Sequence, residues 1–312
     1  MSEHGGRRAV LAALSANAGI AVAKFVGFAV TGSSSMLAEA VHSVADTANQ
    51  GLLLFGRKAA QRQPDARHPF GFGRERYFAA FIVALLLFSV GAIFAVYEGA
   101  EKILHPAEVS APLVAVVILV VALGLEGYSF HTAVGEAVAA KKDAGWWTYI
   151  REATAPELPV VLLEDSAALI GLVLALLGVG VSTLTGNPVF DGLATVLIGV
   201  LLAVVAIVLI VEMKSLLIGE GANAGLLAEI VAELESGTVA RVIHIRTQYL
   251  APDELLVAAK IAMHGRPGIG EVAAAIDDAE LRVRAKVPEA ALIYLEPDLD
   301  RAAEAQAPEG SG

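Results

Sequence analysis

The sequence predicts a membrane protein whose six transmembrane helices are followed by a small soluble α+β domain. The first indication is composition: of 312 residues, 56% are apolar and 18% are charged, and the mean hydropathy is +0.66. In soluble globular domains roughly a quarter of the residues are charged. The lower charged fraction of this chain argues against an ordinary soluble enzyme. The second indication is that the apolar residues gather into long stretches before about residue 220. The third is that apolar and charged residues are interspersed in the remainder of the chain.

Two further features of composition narrow the chemistry. The chain contains no cysteine, which excludes disulfides, thiolate metal sites and cysteine nucleophiles. A bound metal would therefore be held by nitrogen and oxygen. The formal net charge of −11 argues against a nucleic-acid partner, because such proteins need a basic surface.

Six apolar stretches are long enough to cross a bilayer, whose hydrocarbon core of about 30 Å takes roughly 20 helical residues. The first follows Arg7 and Arg8 and lacks a small-residue cleavage site after a short apolar core, so we expect a retained helix and not a removable signal peptide. The six stretches cover residues 9–30, 36–56, 77–100, 111–139, 159–183 and 190–213.

The basic residues between the stretches predict the orientation. One side of the membrane would carry only Lys102, and positively charged loops stay in the cytoplasm. We therefore expect a multi-pass protein of the cell (inner) membrane with both termini cytoplasmic. The cytoplasmic side would carry twelve basic residues: Arg7, Arg8, Arg57, Lys58, Arg62, Arg67, Arg74, Arg76, Lys141, Lys142, Arg151 and Lys214.

The region after residue 220 contains no apolar run of membrane-spanning length. Helical spacing over Leu226–Leu234 and Ile269–Ala285, and strand-like patterns elsewhere, predict the order αββαβ, which is typical of a ferredoxin-like domain. We expect a six-span domain at 1–218, a cytoplasmic ferredoxin-like domain at 219–300 and a disordered tail at 301–312. The predicted strands are Val239–Thr247, Leu255–Met263 and Ala290–Leu295.

Ionisable residues interrupt the second and fifth apolar stretches. A charge at the centre of a span costs about 2.5–3.5 kcal/mol on insertion scales, so each needs an explanation. His42 and Asp46 are four residues apart and share one helix face, which Glu39 and Asn49 extend. Glu164 and Asp165 would point about 100° apart on a helix. Three ligands from two helices, His42, Asp46 and Asp165, would suit a divalent ion.

A structural explanation competes for each of these residues, because a lone buried His or Asp often serves only as a helix-packing hydrogen bond. For Lys24 we favour a structural ion pair over a side chain that reaches the headgroups. Glu126 in the fourth stretch fits a peripheral site residue or a structural one equally well. Asp191 opens the sixth stretch and indicates helix-start chemistry.

At this point the sequence resembles the cation diffusion facilitator family of zinc-type transporters, over residues 8 to 298. The strongest match is the H-x-x-x-D of His42 and Asp46 in its A-E-A-x-H-S setting, followed by H-P-F-G-x-G-R. The stretch Leu162-Leu163-Glu164-Asp165-Ser166-Ala167-Ala168 and the loop Gly145-Trp146-Trp147 resemble the branch that includes the mitochondrial zinc transporter. Other matching pieces are Gly32-Ser33-Ser34-Ser35, Ala38-Glu39-Ala40 and His68-Pro69-Phe70-Gly71-Phe72-Gly73-Arg74.

The resemblance implies a homodimer that exports a divalent metal in exchange for protons. It also implies a tetrahedral site with His42 and Asp46 on the second helix and Asp165 on the fifth. The fourth position falls on Val161, which cannot bind a metal. This leaves Glu164, Asn49 or a water as the candidates for the remaining ligand.

Two further metal sites that the resemblance implies are eroded. The loop site keeps Asp65 and His68 but has Phe72 at its third position, so we expect it to be weak or absent. In the C-terminal domain, His244 and His264 lie beside the matching positions and not on them. Those positions hold Ile243, Lys260, Tyr294 and Glu296; Lys260 puts a cation where a metal would lie.

The predicted function is transport of zinc or another divalent cation out of the cytoplasm, with protons competing for the same ligands. A histidine with carboxylates suits zinc and disfavours manganese or magnesium, although cobalt, iron and manganese stay open as substrates. A membrane-embedded metal-dependent hydrolase is the alternative, but the sequence has no H-E-x-x-H motif. We expect no enzyme, no organic cofactor, and as partners a metal ion, protons, the lipid bilayer and a second copy of the chain.

Overall fold

The structure is a computed structural model that describes residues 18–141, 145–265 and 267–298. It divides into two compact units, which are described separately. The first contains residues 18–62 and 75–214, and the second contains residues 63–74 and 215–298. Arg7, Arg8 and the predicted tail at 301–312 lie outside the described residues.

The first unit is helical throughout, and its helices fall on the predicted apolar stretches. Four of them are long and apolar enough to cross a membrane, so the chain is a membrane protein. These are α3 (Glu75–Leu104), α4 (Pro112–Lys141), α6 (Glu157–Thr185) and α7 (Val189–Ile218). The short helix α5 (Trp146–Glu152) precedes α6.

The first two helices differ from these four in length or composition. The described part of α1 is Ala18–Thr31, because the predicted start at residue 9 lies outside the described residues. Helix α2 (Ser34–Ala60) has 27 residues and is less apolar than these four, because it contains Glu39, His42, Asp46 and Asn49. The polar residues that make α2 a candidate binding helix thus also lower its hydropathy.

The start of α2 is held by Asp191, which lies in the first turn of α7. The Asp191 carboxylate accepts hydrogen bonds from the Ser33 hydroxyl at 2.8 Å and from the backbone N–H of Ser34 at 2.9 Å, and also from Ser35. A carboxylate at this place satisfies the orphan N–H groups of a helix start. The sequence predicted helix-start chemistry for Asp191, but its carboxylate caps α2 and not its own helix.

Close helix contacts in the membrane unit use glycine. A Cβ on Gly99 of α3 would come within 2.7 Å of the Gly192 carbonyl oxygen on α7. Helix α2 packs against α3 and α6, and α4 packs against α6.

The second unit contains a three-stranded mixed sheet. Strands β1 (Val239–Ala251) and β2 (Glu254–Met263) form an antiparallel hairpin, and β3 (Leu292–Pro297) pairs parallel to β2. Helices α8 (Ala224–Glu235) and α9 (Ile269–Lys286) complete the order αββαβ. The core that these elements bury includes Ile230, Leu234, Leu255, Val257, Ile261, Val283 and Ile293.

The loop 63–74 belongs to this second unit. Gly73 lies so close to β1 that a Cβ there would meet the Leu250 carbonyl oxygen at 2.7 Å and the Ala251 methyl at 2.5 Å. Only glycine fits at such a distance, which explains the residue type at this point of the H-P-F-G-x-G-R motif.

Candidate metal site in the membrane helices

The predicted pair on α2 is buried and in contact. His42 is 3% exposed and Asp46 is 8% exposed, and His42 Nδ1 lies 3.5 Å from Asp46 Oδ1. The contact follows from the spacing, because residues four apart stack on one helix face. An imidazole and a carboxylate therefore face the same region of the helix bundle.

Helix α6 brings Glu164 to this pair. The Asn49 amide nitrogen donates a hydrogen bond to the Glu164 carboxylate, which lies close enough to Asp46 for the two carboxyl groups to interact electrostatically. Asn49 is 1% exposed, and its Oδ1 has no hydrogen-bond donor among the described residues. His42, Asp46, Glu164 and Asn49 thus form a continuous polar chain between the two helices, with one oxygen ready to accept a cation.

Asp165 lies apart from that chain. Its carboxylate accepts a hydrogen bond of 3.0 Å from the Ser129 hydroxyl of α4, because adjacent residues on a helix point about 100° apart. The assignment of His42, Asp46 and Asp165 to one metal site stays a prediction, and Glu164 is the acid of α6 that is hydrogen-bonded to Asn49 of α2. In the described part of the chain, no three His, Asp or Glu side chains converge on one point in a geometry that could hold an ion.

A fully buried ion pair adjoins the site, as predicted for Lys24. Its ammonium lies 3.1 Å from Glu39 Oε2 and 2.7 Å from Ser43 Oγ, and both charged side chains are 0% exposed. The other oxygen, Glu39 Oε1, has no donor among the described residues. It faces Gly171 of α6, where a Cβ would come within 2.4 Å of it.

The charges of this region favour a cation. The carboxyl groups of Glu39, Asp46, Glu164 and Asp165 are all buried in the helices, and Lys24 is the cation that lies among them. Buried carboxylates without matching cations are costly and need protons or metal ions. The arrangement is suited to an ion that enters and leaves.

The close contact at Gly171 gives a testable prediction. Gly171→Ala should destabilise the protein by about 1–3 kcal/mol, because the new methyl overlaps Glu39 and both α2 and α6 are packed around it. Gly180→Ala in the same helix is the control, since nothing lies within 4 Å of a Cβ there. It should be neutral or slightly stabilising, because alanine favours helix. Thermal unfolding in detergent measures both, and equal melting temperatures would contradict the predicted clash.

At the two eroded metal sites, in the loop and in the C-terminal unit, the side chains are paired with other groups of the protein. In the loop, His68 Nδ1 lies 3.1 Å from Asp65 Oδ1, and the His68 ring packs on Phe72 with centroids 4.5 Å apart. The backbone N–H groups of His68 and Arg67 hold the pKa of the Asp65 carboxyl below its usual range. The Asp65 carboxylate thus stabilises the turn through these hydrogen bonds.

In the C-terminal unit, Lys260 occupies a position that the family resemblance assigns to a metal ligand, and its ammonium forms ion pairs there. Its ammonium lies 2.9 Å from Asp298 and 3.2 Å from Glu296. Hydrogen bonds to these two carboxylates raise the pKa of Lys260, so the side chain stays charged. His244 is its cross-strand partner on β1.

Comparison with known proteins identifies the family of the chain. The model of the cation efflux transmembrane domain matches residues 10–218, which is about two thirds of the chain and includes every residue of the candidate site. The chain belongs to the cation efflux family. The predicted resemblance to the cation diffusion facilitators is thereby confirmed, and the family consists of transporters and not of enzymes.

Several curated relatives agree with this assignment. The chain is 35% identical over 246 residues to the mouse protein named proton-coupled zinc antiporter SLC30A9, mitochondrial, and 34% identical to the human one. These matches cover 78% of this chain but 43% of each relative. Metal tolerance protein C4 of Arabidopsis thaliana is 30% identical, with 83% of this chain and 58% of that protein covered. The chain thus spans about half the length of these relatives.

Proposed function

We propose that this cation efflux protein exports divalent cations, with zinc as the first candidate, in exchange for protons by alternating access. The observation that carries the proposal is the polar chain of His42, Asp46, Glu164 and Asn49 between two helices of the family's transmembrane domain. Imidazole nitrogen and carboxylate oxygen are ligands that zinc accepts. The names of the mouse and human relatives support zinc and proton coupling.

The proximity of the buried Asp46 and Glu164 carboxyl groups supports the coupling to protons. Two buried carboxylates side by side repel each other, which favours a proton on one of them. A zinc ion that binds the same oxygens displaces that proton, so metal and proton compete for one site. His42 binds a metal only through an unprotonated imidazole nitrogen, so a proton on this ring also competes with the ion.

The binding set we propose is His42, Asp46 and Glu164, with Asn49 as an additional oxygen ligand. Asp165 would bind the ion at an earlier or later stage of the cycle, from its position beside Ser129. The side chain of Val161 offers no donor atom, so the ion would keep a water on that side. A small movement of α6 against α2 would bring His42 and Glu164 to the same ion.

The proposal includes an architecture that the residues support. Helices α1 and α2 would span the membrane together with the four apolar helices, giving six spans at 1–218. The domain at 219–300, of ferredoxin-like type, and both termini would lie in the cytoplasm, because the basic loops fall on one side. The membrane would be the cell (inner) membrane, and the functional unit a homodimer, as the family resemblance implies.

Transport in proteoliposomes tests the function. Zinc supplied outside vesicles of the purified full chain should enter saturably and produce a pH change inside, whereas Asp46→Ala should abolish both. Asp277→Ala is the control, since Asp277 is an exposed carboxylate of α9, and it should transport normally. Unchanged flux in Asp46→Ala would refute the site, and no uptake of zinc, cobalt, iron or manganese by the wild type would refute the function. A current that does not saturate would identify a channel instead.

A further inference from the structure

A cavity beside α4 is a feature of the membrane unit that the proposed binding set does not use. Its volume is about 540 Å³, and α1, α2, α4 and α6 contribute to its walls. Glu126, Ser129 and Gln50 supply polar groups, and Val161 is part of the wall. Val161, which occupies the position of the fourth ligand that the family resemblance implies, therefore borders on the cavity.

Glu126 lies at the middle of α4, fourteen residues from Pro112 and fifteen from Lys141. Because a helix rises 1.5 Å per residue, its Cα is roughly 20 Å from either end. A long side chain near a helix end can reach the headgroups, but one at the centre cannot. A carboxylate at this depth needs a cation, a proton or water from the cavity.

The Glu126 carboxylate makes no hydrogen bond or ion pair with any residue that the structure describes. Lys24 acts on it electrostatically, but that ammonium is hydrogen-bonded to Glu39 and Ser43. Glu126 also lies close enough to interact electrostatically with Asp46, Glu164 and Asp165. A cation bound at Glu126 would thus be close to the buried carboxylates without entering their hydrogen bonds.

Ser129 connects the cavity with the candidate site. It is one turn after Glu126 on α4, so both side chains lie on the same helix face. Its hydroxyl lines the cavity and donates to Asp165. Glu126, Ser129 and Asp165 therefore form a series of oxygen atoms that leads from open space into the bundle.

The far end of the cavity carries two more carboxylates. Glu136 lies about 15 Å further along α4, and Glu157 lies at the start of α6. Both are at the helix ends that the basic loops assign to the cytoplasm. Glu157 is held by Arg76 through hydrogen bonds of 2.6 Å and 2.9 Å. Among the described residues that line the cavity, Glu126 is the carboxylate at the middle of α4.

We propose that Glu126 is the loading ligand of the transporter: a divalent cation entering the cavity binds its carboxylate, with Ser129 as an oxygen ligand, before it passes to Asp165 and the pair on α2. The inference rests on the proposed transport function and names a residue of α4 that acts on the same ion. The ion keeps part of its water shell at Glu126, because one carboxylate and one hydroxyl cannot replace it. Affinity there is weak, which permits onward transfer.

Transport kinetics of Glu126→Gln test the inference, because a loading ligand changes the concentration dependence more than the maximal rate. The KM for zinc should rise about tenfold or more, as is usual when a supporting metal contact is lost, while the maximal rate stays within about twofold. Glu126→Asp, which keeps the carboxylate, should restore most of the affinity. Glu98→Gln is the control: Glu98 is a half-buried glutamate of α3 outside the cavity, and its KM should equal that of the wild type.

Three outcomes would overturn the inference. One is a wild-type KM together with a wild-type maximal rate in Glu126→Gln. The second is an unchanged KM with a lower maximal rate, which would mean that Glu126 carries a proton or stabilises the fold. The third is an equal rise of KM in Glu98→Gln, which would mean that only the overall charge matters.

Equilibrium binding separates this inference from the proposed function. Titration calorimetry with zinc alone on the full chain in detergent needs no transport. If the wild type binds zinc but moves none, the transport proposal fails, and a weaker zinc affinity in Glu126→Gln would still support the loading ligand. If Asp46→Ala abolishes binding while Glu126→Gln leaves the affinity unchanged, the transport site stands and the loading ligand is refuted.

Discussion

Lys24→Met is expected to lower the free energy of unfolding by about 3–5 kcal/mol, the usual cost of removing one partner from a buried ion pair. Lys24 and Glu39 are both 0% exposed, so the carboxylate left behind would be charged and unpaired inside the helix bundle. Methionine keeps the unbranched stem of lysine, and the loss therefore reports on charge more than on packing. Denaturant unfolding in detergent micelles measures the change.

Two variants separate the pair from its surroundings. Lys24→Met combined with Glu39→Gln removes both charges with little change of volume, and it should recover most of the lost stability, because neutral replacements of buried pairs are often tolerated. Lys102→Met is the matched single control, since Lys102 is also buried and, among the residues that the structure describes, donates its hydrogen bond to the Gly32 carbonyl oxygen at 3.0 Å and to no carboxylate. It should cost about 1.5–3 kcal/mol. A double variant as unstable as Lys24→Met would show that the charges are not the cause.

The helices could be predicted because bilayer thickness imposes their length. The stretch predicted at 111–139 is a helix at Pro112–Lys141, and that at 159–183 is a helix at Glu157–Thr185. A run of apolar residues contains this information locally. The number of spans is harder to predict from composition. Helix α2 contains polar residues of the candidate site, and these lower its hydropathy below that of the other long helices.

The strands were predicted in order but not in length. Strand β1 continues to Ala251 beyond the predicted end at Thr247, because Gln248 and Tyr249 pair with Leu256 and Leu255 in the hairpin. The alternation of apolar residues is lost there, since Tyr249, Leu250 and Ala251 are all buried. Pairing partners and not the local pattern extend the strand.

The contacts between helices could not be predicted in this way. Nothing in the apolar run of α4 marks Ser129 as the partner of Asp165, and nothing in α6 marks Gly171 as the place where Glu39 fits. Such contacts depend on how each helix is rotated about its axis, which many residues decide together. The spacing of His42 and Asp46 was informative because both lie on one helix, where rotation does not matter.

The same limit affects the choice between Glu164 and Asp165. The resemblance assigns the fifth-span ligand to Asp165, whereas α6 turns Glu164 toward Asp46 and Asn49 and leaves Asp165 with Ser129. A rotation of about 100° separates the two assignments. Two adjacent acids allow each to serve a different stage, one at the cavity side and one between the helices.

Replacing each acid by its amide decides the matter. Glu164→Gln should reduce zinc affinity by more than about a hundredfold and abolish proton-coupled uptake, since even outer contacts of a metal site are worth ten- to a hundredfold. Asp165→Asn should raise the KM by about tenfold and leave the maximal rate measurable, because its carboxylate lies outside the polar chain. Val161→His adds a ligand on the cavity side, one turn from Asp165, and should raise zinc affinity over that for manganese.

Zinc uptake and zinc titration on the three variants measure these effects side by side. The opposite ranking, in which Asp165→Asn abolishes binding while Glu164→Gln retains it, would restore the ligand set that the resemblance implies. It would also mean that α6 rotates during the cycle, since Glu164 and not Asp165 contacts Asp46 in this conformation. Equal losses in both amides would indicate that the two acids bind the ion together, and the division of the site into two stages would then be wrong.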